Sequence, residues 1–175
     1  MLVAQPARAE LTPPAFYQLA PSNEEAIQYE QGRQLAIELL GSVVGLDESA
    51  ASLAAEVGKQ LASARFVVAA GAEADRQCAQ VAASLFVLQT VPGTIHVCAD
   101  TRWHVLNEPG PVTAILAQGF IHEGVHLAGI TDECEATRLE LLVARATSGI
   151  TSFANLQKYG KQCGGLLESA RLRRK

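Results

Sequence analysis

The chain has 175 residues, which suggests one domain or one domain with a short extension. Hydrophobic residues make up 49% and charged residues 18%, a composition that supports a sizeable core and argues against wholesale disorder. The net charge of −4 without an extended basic stripe disfavours a nucleic-acid partner, and no apolar run approaches the roughly 18–20 residues that cross a bilayer, so we expect no membrane span.

The N-terminal part of the sequence contains two helix caps. Residues 1–21 are proline-rich without a clear period and predict an extended arm, whereas residues 22–175 are expected to form a single domain. Ser22, followed three residues later by Glu25, is a capping box that predicts a helix to about residue 40. Asp47 predicts the start of a second, alanine-rich helix to about residue 64.

The rest of the chain predicts more helix than strand, and the expected class is α+β, dominated by helix. Pro111 suits the first turn of a helix and Gly129 suits the residue after its end. The predicted elements are a strand or helix end at 65–70, helix 73–89, strand 94–99, and helices 112–128, 133–148 and 152–172, the last interrupted at 164–165.

Two features bear on the cellular compartment and leave it open. Ala7-Arg8-Ala9 resembles a signal-peptidase site, but no apolar segment precedes it. The four cysteines, Cys78, Cys98, Cys134 and Cys163, include no Cys-x-x-Cys pair, so they predict no cysteine-rich zinc site. Their even number allows two disulfides in an exported protein or four buried thiols in a cytoplasmic one.

The predicted helix 112–128 carries the motif His122-Glu123-Gly124-Val125-His126. Histidines four residues apart lie about 40° apart on a helix, so both imidazoles can reach one ion, and zinc is the expected ion. Glu123 can act as general base, taking a proton from the attacking water and delivering it to the leaving group. Because the helix is apolar almost all round, we expect it to be buried, where unpartnered polar side chains would be costly.

A third zinc ligand is expected from the following helix. With Glu135 at zero and 100° per residue, the apolar residues fall at about 40° (Leu139), 340° (Leu142), 80° (Val143) and 20° (Ala146), so Glu135 lies on the apolar stripe. On the same wheel Glu133 falls at about 160° and Glu140 at about 140°, away from that stripe. Glu135 is therefore the preferred ligand.

Two other carboxylates remain open as the third ligand. Asp132 lies ten residues after His122 and is the rival, while Glu133 is the least favoured of the three. Glu135 also has a purely structural interpretation, because Asp132 at the N-cap would place it at the third helical position of a capping box.

The motif and the helix that opens with Glu135-Ala136 and continues to Glu140-Leu141-Leu142 resemble the gluzincin plan, in particular the ImmA/IrrE-type metallopeptidases. The likeness covers about residues 94–146. It implies a zincin-like core with a small edge sheet, zinc on His122, His126 and Glu135, and Glu123 as general base. It also implies that strand 94–99 is the edge strand along which a peptide or protein substrate lies.

A second resemblance competes with the first. The spacing His-Glu-x-x-His-x-x-Gly-x-x-Asp, which ends at Asp132, is similar to that of snapalysin-like metzincins. The methionine-containing turn of metzincins is not expected here, since Met1 is the only methionine. The sequence thus predicts an HExxH zinc metallopeptidase; the alternative is a non-catalytic metal-binding, scaffold or regulatory protein that retains the zincin fold. It leaves the oligomeric state open.

Overall fold

The computed structural model describes residues 16–81, 85–99, 109–146 and 162–165. In this part of the chain it is, as predicted, a helix-dominated α+β structure, and its strands form one four-stranded sheet. No helix there is long and apolar enough to cross a membrane. The elements are β1 (Tyr17–Leu19), α1 (Asn23–Ser42), α2 (Glu48–Ser63), β2 (Arg65–Ala70), α3 (Ala72–Val81), β3 (Leu85–Val87), β4 (Thr94–Cys98), α4 (Pro109–Leu127) and α5 (Glu133–Ala146).

The first two helices begin at the predicted caps. The Ser22 hydroxyl accepts from the Glu25 N–H, and the Glu25 carboxylate accepts from the Ser22 N–H at 2.8 Å, which completes the capping box. The Asp47 carboxylate accepts from the Ala50 N–H at 2.9 Å. Each cap satisfies backbone donors that the first turn of a helix leaves without a partner.

The sheet has the order β1-β2-β4-β3, in which β2 and β4 are parallel and the two outer strands are antiparallel to their neighbours. Strand β1 lies within the stretch predicted as an extended arm and pairs with β2. Strand β4 confirms the predicted strand, but it is interior, because β3 pairs with its outer side. The expectation that β4 is the edge strand is therefore wrong, and among the described residues β3 is the outermost strand on that side.

The predicted helix 73–89 is also wrong in its second half. Helix α3 ends at Val81 and residues 85–87 form β3 instead. Pairing with β4 explains the change, since it places the Phe86 ring parallel to the buried His96 ring, with 5.0 Å between centroids. Leu85, Phe86 and Val87 are the apolar and β-branched types that such half-buried strands favour.

Helix α4 is buried, as predicted, and packs against α1, α2, α5 and β3. Gly124 allows α2 to approach closely, because an added Cβ there would lie 2.6 Å from Cγ1 of Val57. On the side of β3, a Cβ on Gly119 would lie 2.6 Å from Cδ1 of Leu85, so Leu85 fills the space beside Gly119. The helix that bears the motif is thus packed among three helices and the outer strand β3.

The four cysteines form two disulfides, one of the two alternatives that their number allowed. Cys78 on α3 is bonded to Cys98 at the end of β4, with a Cα–Cα distance of 5.9 Å. Cys134 in the first turn of α5 is bonded to Cys163, with a Cα–Cα distance of 5.4 Å. The predicted helix 152–172 lies outside the described residues except for 162–165, as does the predicted end of α5 at 147–148.

Candidate metal centre

Three side chains from α4 and α5 converge on one point. His122 and His126 lie one turn apart near the end of α4, with 5.2 Å between ring centroids. Glu133 opens α5, and its carboxylate oxygens lie 3.1 Å from Nε2 of His122 and 3.6 Å from Nε2 of His126. One ligand atom from each residue lies within 4.8 Å of the others, which is close enough for a shared metal ion.

The short connection between the helices brings Glu133 to the histidines. Gly129, at φ 88°, ends α4 in the left-handed conformation that favours glycine, as predicted. The Gly129 N–H donates to the His126 carbonyl at 3.0 Å, and the Ile130 N–H donates to the Val125 carbonyl at 3.2 Å. This turn reverses the chain within a few residues, so that the first turn of α5 lies beside the last turn of α4.

The structure does not bring the other two candidate ligands to this point. The Glu135 carboxylate accepts from Arg138 at 3.3 Å, and Arg138 also donates to Asp47 at the start of α2, at 3.0 Å. Asp132 caps α5, because its Oδ1 accepts from the N–H groups of Cys134 and Glu135. Glu133, the least favoured candidate from the sequence, is the carboxylate that meets both histidines.

In each imidazole Nε2 faces Glu133, and Nδ1, on the other side of the ring, faces a different acceptor. Nδ1 of His126 donates to the Ile130 carbonyl at 2.7 Å. Nδ1 of His122 lies 3.4 Å from Oε2 of Glu140, a side chain that is only 8% exposed. Since a carbonyl only accepts, the proton of neutral His126 stays on Nδ1 and its Nε2 lone pair faces Glu133. Metal-ligating histidines are usually held in this way.

The acidic surroundings change the proton affinity of both histidines. Burial by itself lowers the pKa of His122, but hydrogen bonds with Glu133 and Glu140 and the charge of Glu123 outweigh burial and raise this pKa to about 10. Burial likewise lowers the pKa of His126, and its bonds to Glu133 and Ile130 outweigh it, so that pKa is also raised. Without a metal, His122 therefore carries a positive charge at neutral pH, and His126 takes up a proton more readily than an ordinary histidine.

Glu123, the predicted general base, is buried next to these groups at 6% exposure. Burial raises the pKa of its carboxyl, while the charges of His122 and His126 act in the opposite direction. Within the described residues its Oε2 has no hydrogen-bond partner. A buried carboxylate oxygen without a partner is costly and is typical of positions where water, a metal or a substrate binds.

Glu140 is the residue of this site that the sequence did not single out as functional. The helical wheel placed it off the apolar stripe of α5, yet it is buried and faces His122. The spacing of Glu140 could have indicated its place in the site, because it lies seven residues after Glu133 and therefore two turns along the same face of the helix.

The donor set fits a divalent transition metal. Two neutral imidazole nitrogens and one carboxylate are among the ligand sets that hold catalytic zinc, which keeps its fourth position for water or substrate. Glu133 is 41% exposed, so the group is reached from solvent at that side, whereas the histidines are largely buried. Comparisons with protein families, with curated proteins and with solved structures find no match to this chain.

Proposed function

We propose that this protein is a zinc-dependent hydrolase, and that its site lies between α4 and α5. The convergence of the His122, His126 and Glu133 ligand atoms is the observation that carries the proposal. Glu133 takes the ligand position for which the sequence pattern favoured Glu135 first and Asp132 second. This replacement keeps the predicted chemistry, since it exchanges one carboxylate for another.

The side chains around the three ligands support zinc over a simple ion pair. The contacts at Nδ1 of His122 and His126 orient both Nε2 atoms toward the Glu133 carboxylate. Three potential metal-ligand atoms, one from each residue, therefore face one another. When bound, zinc supplies Lewis acidity that polarises a carbonyl and lowers the pKa of an attacking water toward neutrality. It also balances the negative charge of the buried carboxylates.

Glu123 is the group that moves the proton. It is adjacent to His122 in the chain, is buried, and has an Oε2 without a hydrogen-bond partner in the described part of the protein. Burial raises the pKa of its carboxyl, which makes it a stronger base than an exposed glutamate. It accepts a proton from the attacking water and returns it to the leaving amine.

A peptide is the substrate that we propose, on the resemblance to metallopeptidases and on the position of β3. This strand is the outer strand of the described sheet on the side of α4, and its Leu85 contacts α4 at Gly119, one turn before His122. An extended peptide that pairs with the outer side of β3 would run beside the helix that carries both histidines. Together these features support a zincin-like core.

The metal part of the proposal is tested by elemental analysis of tag-free protein. We expect about one zinc per chain in the wild type and loss of zinc in His122→Ala. Glu133→Gln should lose zinc, whereas Glu135→Gln, a matched change two residues away whose amide oxygen can still accept from Arg138, should retain it. Zinc loss in Glu135→Gln with retention in Glu133→Gln would restore the ligand first predicted from the sequence.

The catalytic part is tested with a mixture of unstructured peptides in ¹⁸O-labelled water, with products analysed by mass spectrometry. The wild type should produce cleaved peptides whose new carboxyl groups carry ¹⁸O. Glu123→Gln should abolish cleavage and retain zinc, because it removes only the base. Cleavage that survives in Glu123→Gln contradicts the mechanism, and a zinc-loaded wild type that cleaves nothing supports the non-catalytic alternative.

A further inference from the structure

We infer that Glu140 is a positioning residue, whose buried carboxylate fixes His122 in the orientation that presents Nε2 to the metal. The inference rests on the proposed metal site and adds a role for a residue outside its ligand set. It starts from the contact between Oε2 of Glu140 and Nδ1 of His122, at 3.4 Å.

The two histidines need different partners because they occupy different places on α4. His126 lies in the last turn, where the chain reverses at Gly129 and returns the Ile130 carbonyl to Nδ1. His122 lies one turn earlier, where the carbonyls around it accept N–H groups within the helix. A side chain from another element has to supply the acceptor there, and Glu140 of α5 does so.

The position of Glu140 excludes it as a ligand of the metal ion that Nε2 of His122 would bind. Glu133 faces Nε2 of His122 and Glu140 faces Nδ1, so the two carboxylates lie on opposite sides of one imidazole ring. Both are on the same face of α5, two turns apart. Helix α5 thus holds the ring from both sides, and packing of α5 on α4 sets both contacts together.

The burial of Glu140 gives its charge a specific function. The side chain is 8% exposed, and a buried carboxylate costs stability unless a donor or a cation compensates it. With an oxygen 3.4 Å from Nδ1, the Glu140 carboxylate favours the proton of neutral His122 on that nitrogen and leaves the lone pair on Nε2. The carboxylate also makes the imidazole a stronger ligand. Loss of such partners weakens metal binding by about 10- to 100-fold.

The test is zinc affinity, measured by competition with a chromogenic chelator in wild type, Glu140→Gln and a control, Glu38→Gln, on an exposed part of α1. We expect about 10- to 100-fold weaker zinc binding in Glu140→Gln and an unchanged affinity in the control. Thermal unfolding of the metal-free proteins is measured in parallel, so that a loss of affinity caused by general destabilisation is recognised. Glu140→Asp, which keeps the charge, should recover part of the affinity.

A spectroscopic measurement separates positioning from a merely structural role. In the zinc-loaded wild type, the long-range ¹H–¹⁵N spectrum of the histidines should show His122 with its proton on Nδ1. Equal zinc affinity in Glu140→Gln and wild type, or a His122 that carries no Nδ1 proton, would overturn the inference. If the wild type itself binds no zinc, the proposed function fails, and this result is distinct from a failure at Glu140.

Discussion

Zinc binding to the metal-free protein should release a proton even at pH 8. In the experiment, zinc is added to protein from which a chelator has removed any bound metal. The neighbouring carboxylates raise the pKa of His122 to about 10, so at pH 8 only about one molecule in a hundred has this imidazole neutral. Zinc binds the neutral form, so the Nε2 proton has to leave.

The magnitude follows from the separation between this pKa and the pH of the measurement. At pH 8, His122 alone should release about one proton per zinc, whereas a histidine with the ordinary pKa of about 6.5 would release less than about 0.1. Zinc affinity should rise about tenfold for each pH unit between 7 and 9, or about 1.4 kcal/mol per unit. The raised pKa of His126 acts in the same direction.

The assay is isothermal titration calorimetry at pH 8 in buffers with low and high ionisation enthalpies, in which the difference in heat counts the protons released. Glu56→Gln on α2 serves as a control that should release the same number. Fewer than about half a proton per zinc, together with an affinity that is flat from pH 7 to 9, would show that the carboxylates do not hold a proton on His122. A histidine titration by NMR in the metal-free protein should give a midpoint near 10.

Two further predictions concern packing and pH. Gly124→Ala should destabilise the protein by about 1 kcal/mol in urea unfolding, because overpacking against Val57 outweighs the helix propensity of alanine. Gly58→Ala, whose added Cβ would meet no neighbouring atom within 4 Å, should stabilise it by up to about 1 kcal/mol, and stabilisation by both variants would refute the close approach of α2 and α4. Burial lowers the pKa of His96, so the unfolded chain takes up its proton first and stability is lost as pH falls below about 6.5. His96→Phe should remove part of the loss of stability between about pH 6.5 and 5.5, and an equal pH dependence of unfolding in both proteins would contradict this.

Local sequence predicted the elements whose causes are local. The caps at Ser22 and Asp47 and the glycine turn at Gly129 depend on residues within a few positions of one another, and the structure confirms all three. Strand β3 depends instead on a partner: its three residues suit a helix or a strand until β4 supplies hydrogen bonds and the ring of His96. The interior position of β4 was missed for the same reason.

The third ligand could not be derived from hydrophobic periodicity, because polar residues occupy the middle of the buried face of α5. With Glu135 at zero, the buried residues of this helix centre on about 140°, the direction of Glu140 and nearly that of Glu133. The apolar stripe that singled out Glu135 is centred near 20° and includes the exposed Ala146. In a helix that presents a polar site to its neighbour, the centre of an otherwise apolar buried face can therefore be polar, and the apolar residues alone do not locate that centre.

The residues that flank Glu133 explain how a ligand on the first turn of a helix is held in place, since helix ends fray unless they are tied down. Asp132 caps the turn, and the disulfide from Cys134 joins it to Cys163. Arg138 links the next turn to Asp47 of α2, and Glu135 orients that arginine. Asp132 and Glu135, the two carboxylates that the sequence favoured as ligands, thus stabilise the turn that positions Glu133. A binding site needs this rigidity as much as it needs its donors.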